Sequence, residues 1–388
     1  MEKIIVVGAG LSGSTIARLF AENGRDVIVM DRREEIAGNV FDFIDENGIT
    51  VQPYGPHIFH TDNKSVFEFL SRFTEWRKYE HKVLARVRKD KLVPVPFNLT
   101  SLFSLYQRDK AERIEKILIE ELGFNEKASV LALKKHPNKE VRDFADFVYK
   151  YIFYIYTMKQ WGFRPEHLGE KVINRVPVRV SYEDKYFADE YQFMPKDGFT
   201  KMVQNILSHP RIKLKLKTDA FKELAFVDGK IYFGGKPFNG TVIYSGCVDE
   251  LFGYKYGKLP YRSFKYKFSV QKCKSYQSAA VINYTTSAKH TRTIEFSKFT
   301  CEPKDVTVIA KEIPVAYKKG KNHPFFAIRL KKNLEIYQKY IDSAKEYKNL
   351  FLLGRLALYK DFSMDVAVQK AMELYENILN DDVSDGQE

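Results

Sequence analysis

The first residues with the types and spacing for chemistry are Gly8, Gly10 and Gly13. They follow the apolar run Ile4-Ile-Val-Val7 and precede a helical pattern of Ile16, Ala17, Leu19 and Phe20. Gly8 permits a tight turn, Gly10 lets the backbone approach a pyrophosphate, and Gly13 lets helix and strand pack closely. The helix start offers free N–H groups and a positive dipole end to phosphates. A second apolar run, Val27 to Met30, ends at Asp31, where an acid would grip a ribose hydroxyl. A glycine triplet alone could be a coincidental turn. With strand, helix and acid all in place, it reads as a dinucleotide site.

A second segment, Tyr54-Gly-Pro-His57-Ile58-Phe-His60-Thr61, sets two histidines three apart. Alone they would be structural or surface residues, and no neighbouring cluster supports metal binding. Three scattered cysteines give neither a disulfide framework nor zinc spacing. No stretch approaches the roughly 18 apolar residues of a membrane span. A cytoplasmic, reduced chain is expected. The 388 residues suggest two or three domains at about 150 residues each. The surplus of 63 Lys+Arg over 50 Asp+Glu, +13, implies an anionic partner without naming it. Nucleic acid, an anionic membrane surface and a nucleotide ligand all fit.

The elements that must position these groups follow from periodicity. After Asp31 the chain enters a basic loop, Arg32-Arg-Glu-Glu-Ile-Ala37-Gly38-Asn39, which resembles the FAD-binding subgroup of dinucleotide folds. Near the end, Leu350 to Leu353 reads as a strand leading to Gly354-Arg355, followed by a helix from Met364 to Leu379. Flavoproteins of that subgroup bring such a late strand back to the cofactor; an ordinary late α/β strand is the alternative. Leu99 to Trp161 reads as mostly helical, including Glu112–Leu122 and Val141–Tyr156, with Phe153 among the apolar residues of the latter. Alternating runs at Tyr261–Val270, Ala279–Tyr284, Thr291–Phe296 and Val306–Glu312 read as a mixed or antiparallel sheet. Lys213, Lys215 and Lys217 alternate with apolar residues as a wet strand face. The expected fold is an α/β, doubly wound, Rossmann-like FAD-binding domain with a helical and an antiparallel-sheet insertion. Its expected bounds are 1–80, 196–249 and 313–388 for the flavin domain and 98–165 for the helical insertion. The sheet-rich substrate domain takes 81–97, 166–195 and 250–312.

Taken together, Gly38-Asn39, the histidine segment, Tyr156-Thr157…Lys159-Gln160-Trp161-Gly162, Arg175-Val-Pro-Val-Arg179, Tyr186-Phe187…Tyr191-Gln192 and Gly354-Arg355-Leu-Ala resemble the UDP-galactopyranose mutase family over essentially the whole chain. The resemblance implies a flavoenzyme that interconverts the pyranose and furanose forms of a nucleotide-linked sugar. It implies reduced FAD, with NAD(P)H as external reductant, whose N5 forms an adduct with the sugar while the nucleoside diphosphate leaves and returns. By the same resemblance His57, Arg175 and Arg292 are the catalytic set, the arginines clamping the diphosphate through bidentate forks. The cofactor set is Gly8, Gly10, Ser12, Gly13, Asp31, Arg32, Gly38, Asn39, His57, Ile58, Arg355, Phe362, Ser363 and Met364. The substrate set is His81, Phe153, Tyr156, Thr157, Trp161, Arg175, Tyr186, Asn283, Arg292, Phe326 and Asp361. Glu312 matches an acid near the centre, and a homodimer is the assembly implied.

Departures from the family pattern bear on substrate. Phe325-Phe326-Ala327 stands for Tyr-Tyr-Pro, Asp361 for a phosphate-facing tyrosine, His81 for an asparagine and Ala37-Gly38 for Gly-Gly. An acid beside a diphosphate repels it unless paired or protonated. The expected substrate is therefore an NDP-hexose, UDP-galactose-like or dTDP-fucose-like, with a 6-deoxyhexose favoured by the lost hydroxyls. The competing reading is an FAD-dependent oxidoreductase of the amine-oxidase type. Nucleic-acid binding has only the charge behind it.

Overall fold

Ile4–Val7 forms the centre of a parallel sheet in the computed structural model, which describes residues 3–88, 91–164, 177–300 and 305–385. The strand order is Ile212–Lys215, Val27–Met30, Ile4–Val7, Thr241–Tyr244, Leu350–Leu352, and every ladder is parallel. Such a sheet is covered on both faces, which is why its strands are nearly continuous apolar runs. Side chains alternate between the faces. Ile4, Val6, Val27 and Val29 pack with Ile16 and Phe20 of helix Leu11–Glu22 and with Val368 and Ala371 of helix Met364–Asp385. Ile5, Ile28, Val242 and Tyr244 pack on the other side with Leu224, Ile231 and Tyr347. The lysine-bearing strand Ile212–Lys215 is an edge strand; Lys213 is exposed and Lys215 pairs with Glu223 at 2.7 Å. These lysines belong to the solvent face.

A second, seven-stranded sheet runs Phe326–Ala327, Tyr261–Gln271, Thr307–Ala316, Arg292–Glu295, Val281–Tyr284, Val83–Arg88, Lys91–Val95. Its ladders are antiparallel except that joining Val281–Tyr284 to Val83–Arg88, so the expected antiparallel insertion is a mixed sheet at one place. Two segments expected in it pair elsewhere. Val178–Arg179 pairs with Lys127–Ala128 beside the helices, and Tyr191–Pro195 pairs with Phe59–Thr61 and Trp76–Lys78. Short runs of two to five residues carry no register information of their own, so the tertiary fold chooses their partners.

The helical segment holds Leu99–Leu105, Arg108–Leu122, Val130–Leu133 and Lys139–Val148. Asn98 and Ser101 cap the first reciprocally, and the Asn138 side chain caps the last. Val141, Phe144, Ala145 and Val148 recur at helical spacing and are buried. The continuous helix expected to Tyr156 is interrupted: Tyr149–Tyr154 forms a π turn before α-helix resumes over Ile155–Trp161. The wider turn inserts an extra residue and resets which face the following residues present.

Candidate functional site

A cavity of about 760 Å³ opens at the carboxyl ends of the parallel strands, the usual place for a ligand in an open α/β sheet. Gly8, Gly10, Ser12, Gly13, Asp31, Arg32, Gly38, Asn39, His57, Arg355, Phe362, Ser363 and Met364 line it. Ile58, also expected there, turns into the core and is buried among apolar residues. Gly8 and Gly13 are sterically required, whereas a Cβ on Gly10 would make only an ordinary 3.8 Å contact with Gly38. A Cβ on Gly13 would stand 2.0 Å from the Gly8 carbonyl oxygen, and one on Gly8, at φ +114°, would stand 2.1 Å from Ser245 Oγ. Two helix N-termini converge on the cavity, those of Leu11–Glu22 and Met364–Asp385, and the Ser12 hydroxyl donates to the Ala367 carbonyl at 3.3 Å between them. Both present N–H groups suited to an anion. The cavity volume, glycine cradle and paired N-termini fit a bound dinucleotide.

Asp31 also builds the loop itself, since its carboxylate accepts N–H groups from Ala9 at 2.8 Å and Arg33 at 2.9 Å. Arg32 is committed to the buried Glu250 at 2.6 Å, which also accepts the Tyr317 hydroxyl at 3.2 Å. Arg33 donates to Asn39 at 3.0 Å and lies 4.9 Å over the Tyr54 ring, against which His323 packs edge-on at 5.0 Å. The turn containing Lys319, Gly320, Lys321 and His323 therefore forms a wall that sequence reasoning missed. Its signal was present: a glycine amid lysines just past a long strand.

At the inner end, His57 is tethered by its Nδ1, 2.8 Å from the Gly55 carbonyl oxygen. Burial, with Arg355 and Arg292 adding, pushes its pKa down to about 4. It is therefore neutral at physiological pH, with Nδ1–H assigned as the donor and Nε2 left as an acceptor. Gly55, at φ +100°, lies so close to Tyr266 that a Cβ would stand 2.5 Å from its hydroxyl oxygen. That hydroxyl donates to Glu312 at 2.9 Å, and Glu312 pairs with Arg292 at 2.8 Å. Thr291 donates to the other Glu312 oxygen at 2.9 Å. Burial opposes the Arg292 charge, but Glu312 raises its pKa, so the cation persists. Asn283 is the cross-strand partner of Arg292. Its Oδ1 and the Arg292 Nε are buried without a partner, donor and acceptor capacity suited to a ligand. Tyr266 belongs to this chain of contacts and was not expected from the sequence, where it stands as one of several aromatics in an alternating strand.

Arg355 donates to the Phe325 carbonyl at 2.9 Å, pairs with Asp361 at 2.9 Å and lies 5.0 Å over the Phe326 ring. The acid that the sequence alone left facing a phosphate thus has a cationic partner. Trp161 packs on Phe326 with centroids 5.5 Å apart. Tyr156 lies within electrostatic range of both Arg292 and Tyr266, while Thr157 and Phe153 are buried. His81 is buried with Tyr186 edge-on at 5.8 Å; burial pushes its pKa down to about 3. Arg175 lies outside the described residues. The structure thus links His57 and Arg355, which line one end of the cavity, to Arg292, Asn283, Tyr156, Phe326 and Asp361 through five separate elements and two loops.

Residues 151–361 match the model of the UDP-galactopyranose mutase family, and residues 6–73 match an NAD(P)-binding Rossmann-like domain. The dTDP-fucopyranose mutase of Escherichia coli is 33% identical over 96% of this chain and 97% of its own. The probable UDP-galactopyranose mutase of Klebsiella pneumoniae is also 33% identical, over 98% of this chain and 95% of its own. A crystal structure of reduced UDP-galactopyranose mutase superposes with a TM-score of 0.70 at 16% identity, covering 98% of this chain and 96% of that one. A putrescine oxidase shares the fold at a TM-score of 0.57 and 10% identity, over 98% and 99% of the two chains. The fold therefore extends to oxidases, whereas the sequence matches to mutases cover nearly the whole chain, and the family match spans positions 292 and 312. The chain belongs to the UDP-galactopyranose mutase family of isomerases, built on a Rossmann-like dinucleotide-binding fold.

Proposed function

We propose that the protein binds FAD in the cavity and, with the flavin reduced, interconverts the pyranose and furanose forms of an NDP-hexose. The observation that carries this reading is the meeting of the cavity's inner end, at His57 and Arg355, with the buried Arg292–Glu312 pair and the unpartnered Asn283 Oδ1. The glycine turn and the N-termini at Leu11 and Met364 would hold the pyrophosphate, and Asp31 a ribose hydroxyl. Bound and reduced, the flavin supplies the nucleophile, N5, toward the anomeric carbon, with NAD(P)H as a reductant.

The chain's own residues do the rest. Arg292, kept charged by Glu312, stabilises the diphosphate as it leaves and holds it for return; Arg175 is its proposed second clamp. Asn283 supplies an amide to the same ligand. Trp161 and Tyr156 offer ring surfaces to the base. His57, neutral, presents an acceptor to the cofactor rather than a second cation. Phe326 removes a hydroxyl from the substrate wall, and Asp361 is neutralised by Arg355. These features favour a 6-deoxy sugar, as in a dTDP-fucopyranose-like substrate, over UDP-galactopyranose. The domain bounds given from the sequence and a homodimeric assembly remain part of this proposal. Among the described residues no helix is long and apolar enough to cross a membrane.

The test is turnover of UDP-galactopyranose and dTDP-fucopyranose by reduced and oxidised enzyme, followed by HPLC. Turnover of a nucleotide-sugar only when reduced supports the mutase chemistry, and faster turnover of dTDP-fucopyranose supports the sugar. Equal or better use of UDP-galactopyranose would reject the sugar assignment. Stoichiometric oxidation of a substrate would favour the amine-oxidase-type alternative, to which the shared oxidase fold lends its only support.

A further inference from the structure

Lys159 takes a cation to a place where, among the described residues, no carboxylate pairs with it. It lies on helix Ile155–Trp161, half buried, and burial pushes its pKa down to about 8. Its Nζ donates to three carbonyl oxygens: Tyr284 at 2.6 Å, His290 at 2.7 Å and Thr286 at 3.4 Å. All three sit in or beside the turn that joins Val281–Tyr284 to Arg292–Glu295. An ammonium has three donors and here all are used, so Lys159 has none left for a ligand. Desolvating an ammonium is costly, and these carbonyls are what offsets it.

The position of this plug is informative. Asn283 and Arg292 face each other across the ladder at the base of the same turn. Tyr156 precedes Lys159 by three residues, so both lie on one helix face. Lys159 reaches the tip of the turn, and Tyr156 lies within electrostatic range of Arg292 at its base. The next residue ties the helix a second time: the Gln160 carbonyl accepts Arg262 Nε at 2.9 Å, from strand Tyr261–Gln271. The helix is thus fixed at two points, on the turn leading into Arg292 and on strand Tyr261–Gln271, two strands away in the same sheet.

We propose that Lys159 is a positioning residue for the nucleoside diphosphate: it locks the helix bearing Tyr156, Thr157 and Trp161 onto the turn whose base carries Asn283 and Arg292. The inference rests on the mutase reading of that site. Its effect is preorganisation. With the plug in place, the ring surfaces and the diphosphate donors face each other before the ligand arrives, so less ordering is charged against binding.

The experiment uses the full-length, flavin-loaded protein and the variants Lys159→Met and Lys159→Gln, with UDP as the probe in calorimetry. UDP affinity and kcat/KM are expected to fall roughly tenfold or more, mainly through KM, as donors lose their alignment. Flavin content, read at 450 nm, is expected to stay unchanged. Hydrogen exchange is expected to quicken together in 155–161 and 285–291 and to stay unchanged in 4–30. A folded variant with wild-type UDP affinity, or one that loses kcat alone, overturns the proposal. So does wild-type exchange in both segments. If neither variant folds, acylation of the wild-type protein decides: Lys159 should react far more slowly than exposed Lys213, and equal reactivity overturns the latch. A wild-type protein that neither binds UDP nor turns over a nucleotide-sugar would refute the mutase reading, whereas the exchange and acylation results would still judge the latch itself.

Discussion

Replacing Glu312 by glutamine is expected to destabilise the protein far more than a change of one atom would suggest. The Glu312 side chain is fully buried and the Arg292 side chain is 23% exposed. Three donors converge on the carboxylate: Arg292 at 2.8 Å, Tyr266 at 2.9 Å and Thr291 at 2.9 Å. A glutamine oxygen can still accept, but its amide nitrogen then faces a donor. It also leaves the Arg292 cation without its counter-charge. Removing one partner of a buried pair costs about 3–5 kcal/mol, and the partial exposure of Arg292 places this case near 3. At about 2.1 cal/mol/K per residue, unfolding a chain of this length carries roughly 0.8 kcal/mol/K of entropy, so the melting temperature should fall by about 4 °C. Differential scanning calorimetry at neutral pH would measure it. The paired variant Arg292→Met with Glu312→Met should recover most of the loss, because replacing both charges removes the desolvation cost with the attraction. A fall of under about 1 °C for Glu312→Gln, or a paired variant worse than the sum of its singles, would refute the reasoning.

Other outcomes follow from the same geometry. Gly13→Ala puts a Cβ 2.0 Å from the Gly8 carbonyl oxygen, so the purified protein should lose most of its 450 nm absorbance and about 1–3 kcal/mol of stability; a fully yellow variant would contradict the cradle. Ala37 is held at φ +72°, so Ala37→Gly should relieve about 1–2 kcal/mol of left-handed strain against a glycine entropy cost of about 0.4–1, raising the melting temperature by roughly 1 °C. His81 has a pKa depressed to about 3, so the unfolded chain binds the extra proton between the ordinary value of 6.5 and that value. The stability it contributes is full above pH 6.5 and falls as the pH drops through that window. Between pH 7 and 5.5 the wild type should lose about 1 kcal/mol more than His81→Phe does, measured by denaturant unfolding, and parallel slopes would count against burial of the neutral ring. Asp361→Asn should remove the counter-charge of Arg355 and change the ratio of kcat/KM for dTDP-fucopyranose to that for UDP-galactopyranose; an unchanged ratio would remove Asp361 from the specificity argument.

Much of this architecture was legible before any coordinates. A continuous β-branched run ending at a glycine turn reads as a buried parallel strand, and Gly13 is explained by what its Cβ would strike, the Gly8 carbonyl oxygen at 2.0 Å. Those are local constraints within a short stretch of chain, whereas the clash that requires Gly8, with Ser245, is set by the fold. The long alternating run at Tyr261 likewise announced a half-exposed strand. The short runs at Val178 and Tyr191 did not reveal their partners, since a strand of two to five residues pairs wherever the surrounding fold leaves an edge.

The sequence by itself determined the dinucleotide turn, the order of elements and the list of residues worth watching. Only the tertiary structure decided what those residues do to one another. It gave Asp361 to Arg355, Arg32 to Glu250 and Lys159 to three carbonyls, and it turned Ile58 into the core. It joined His57 to Arg292 through Gly55, Tyr266 and Glu312, residues up to 257 positions apart. Electrostatic energy depends on separation and burial in space, neither of which is a property of a position in a chain. A charge read from the sequence therefore becomes a ligand group, an ion pair or a solvated surface only when the fold assigns its neighbours.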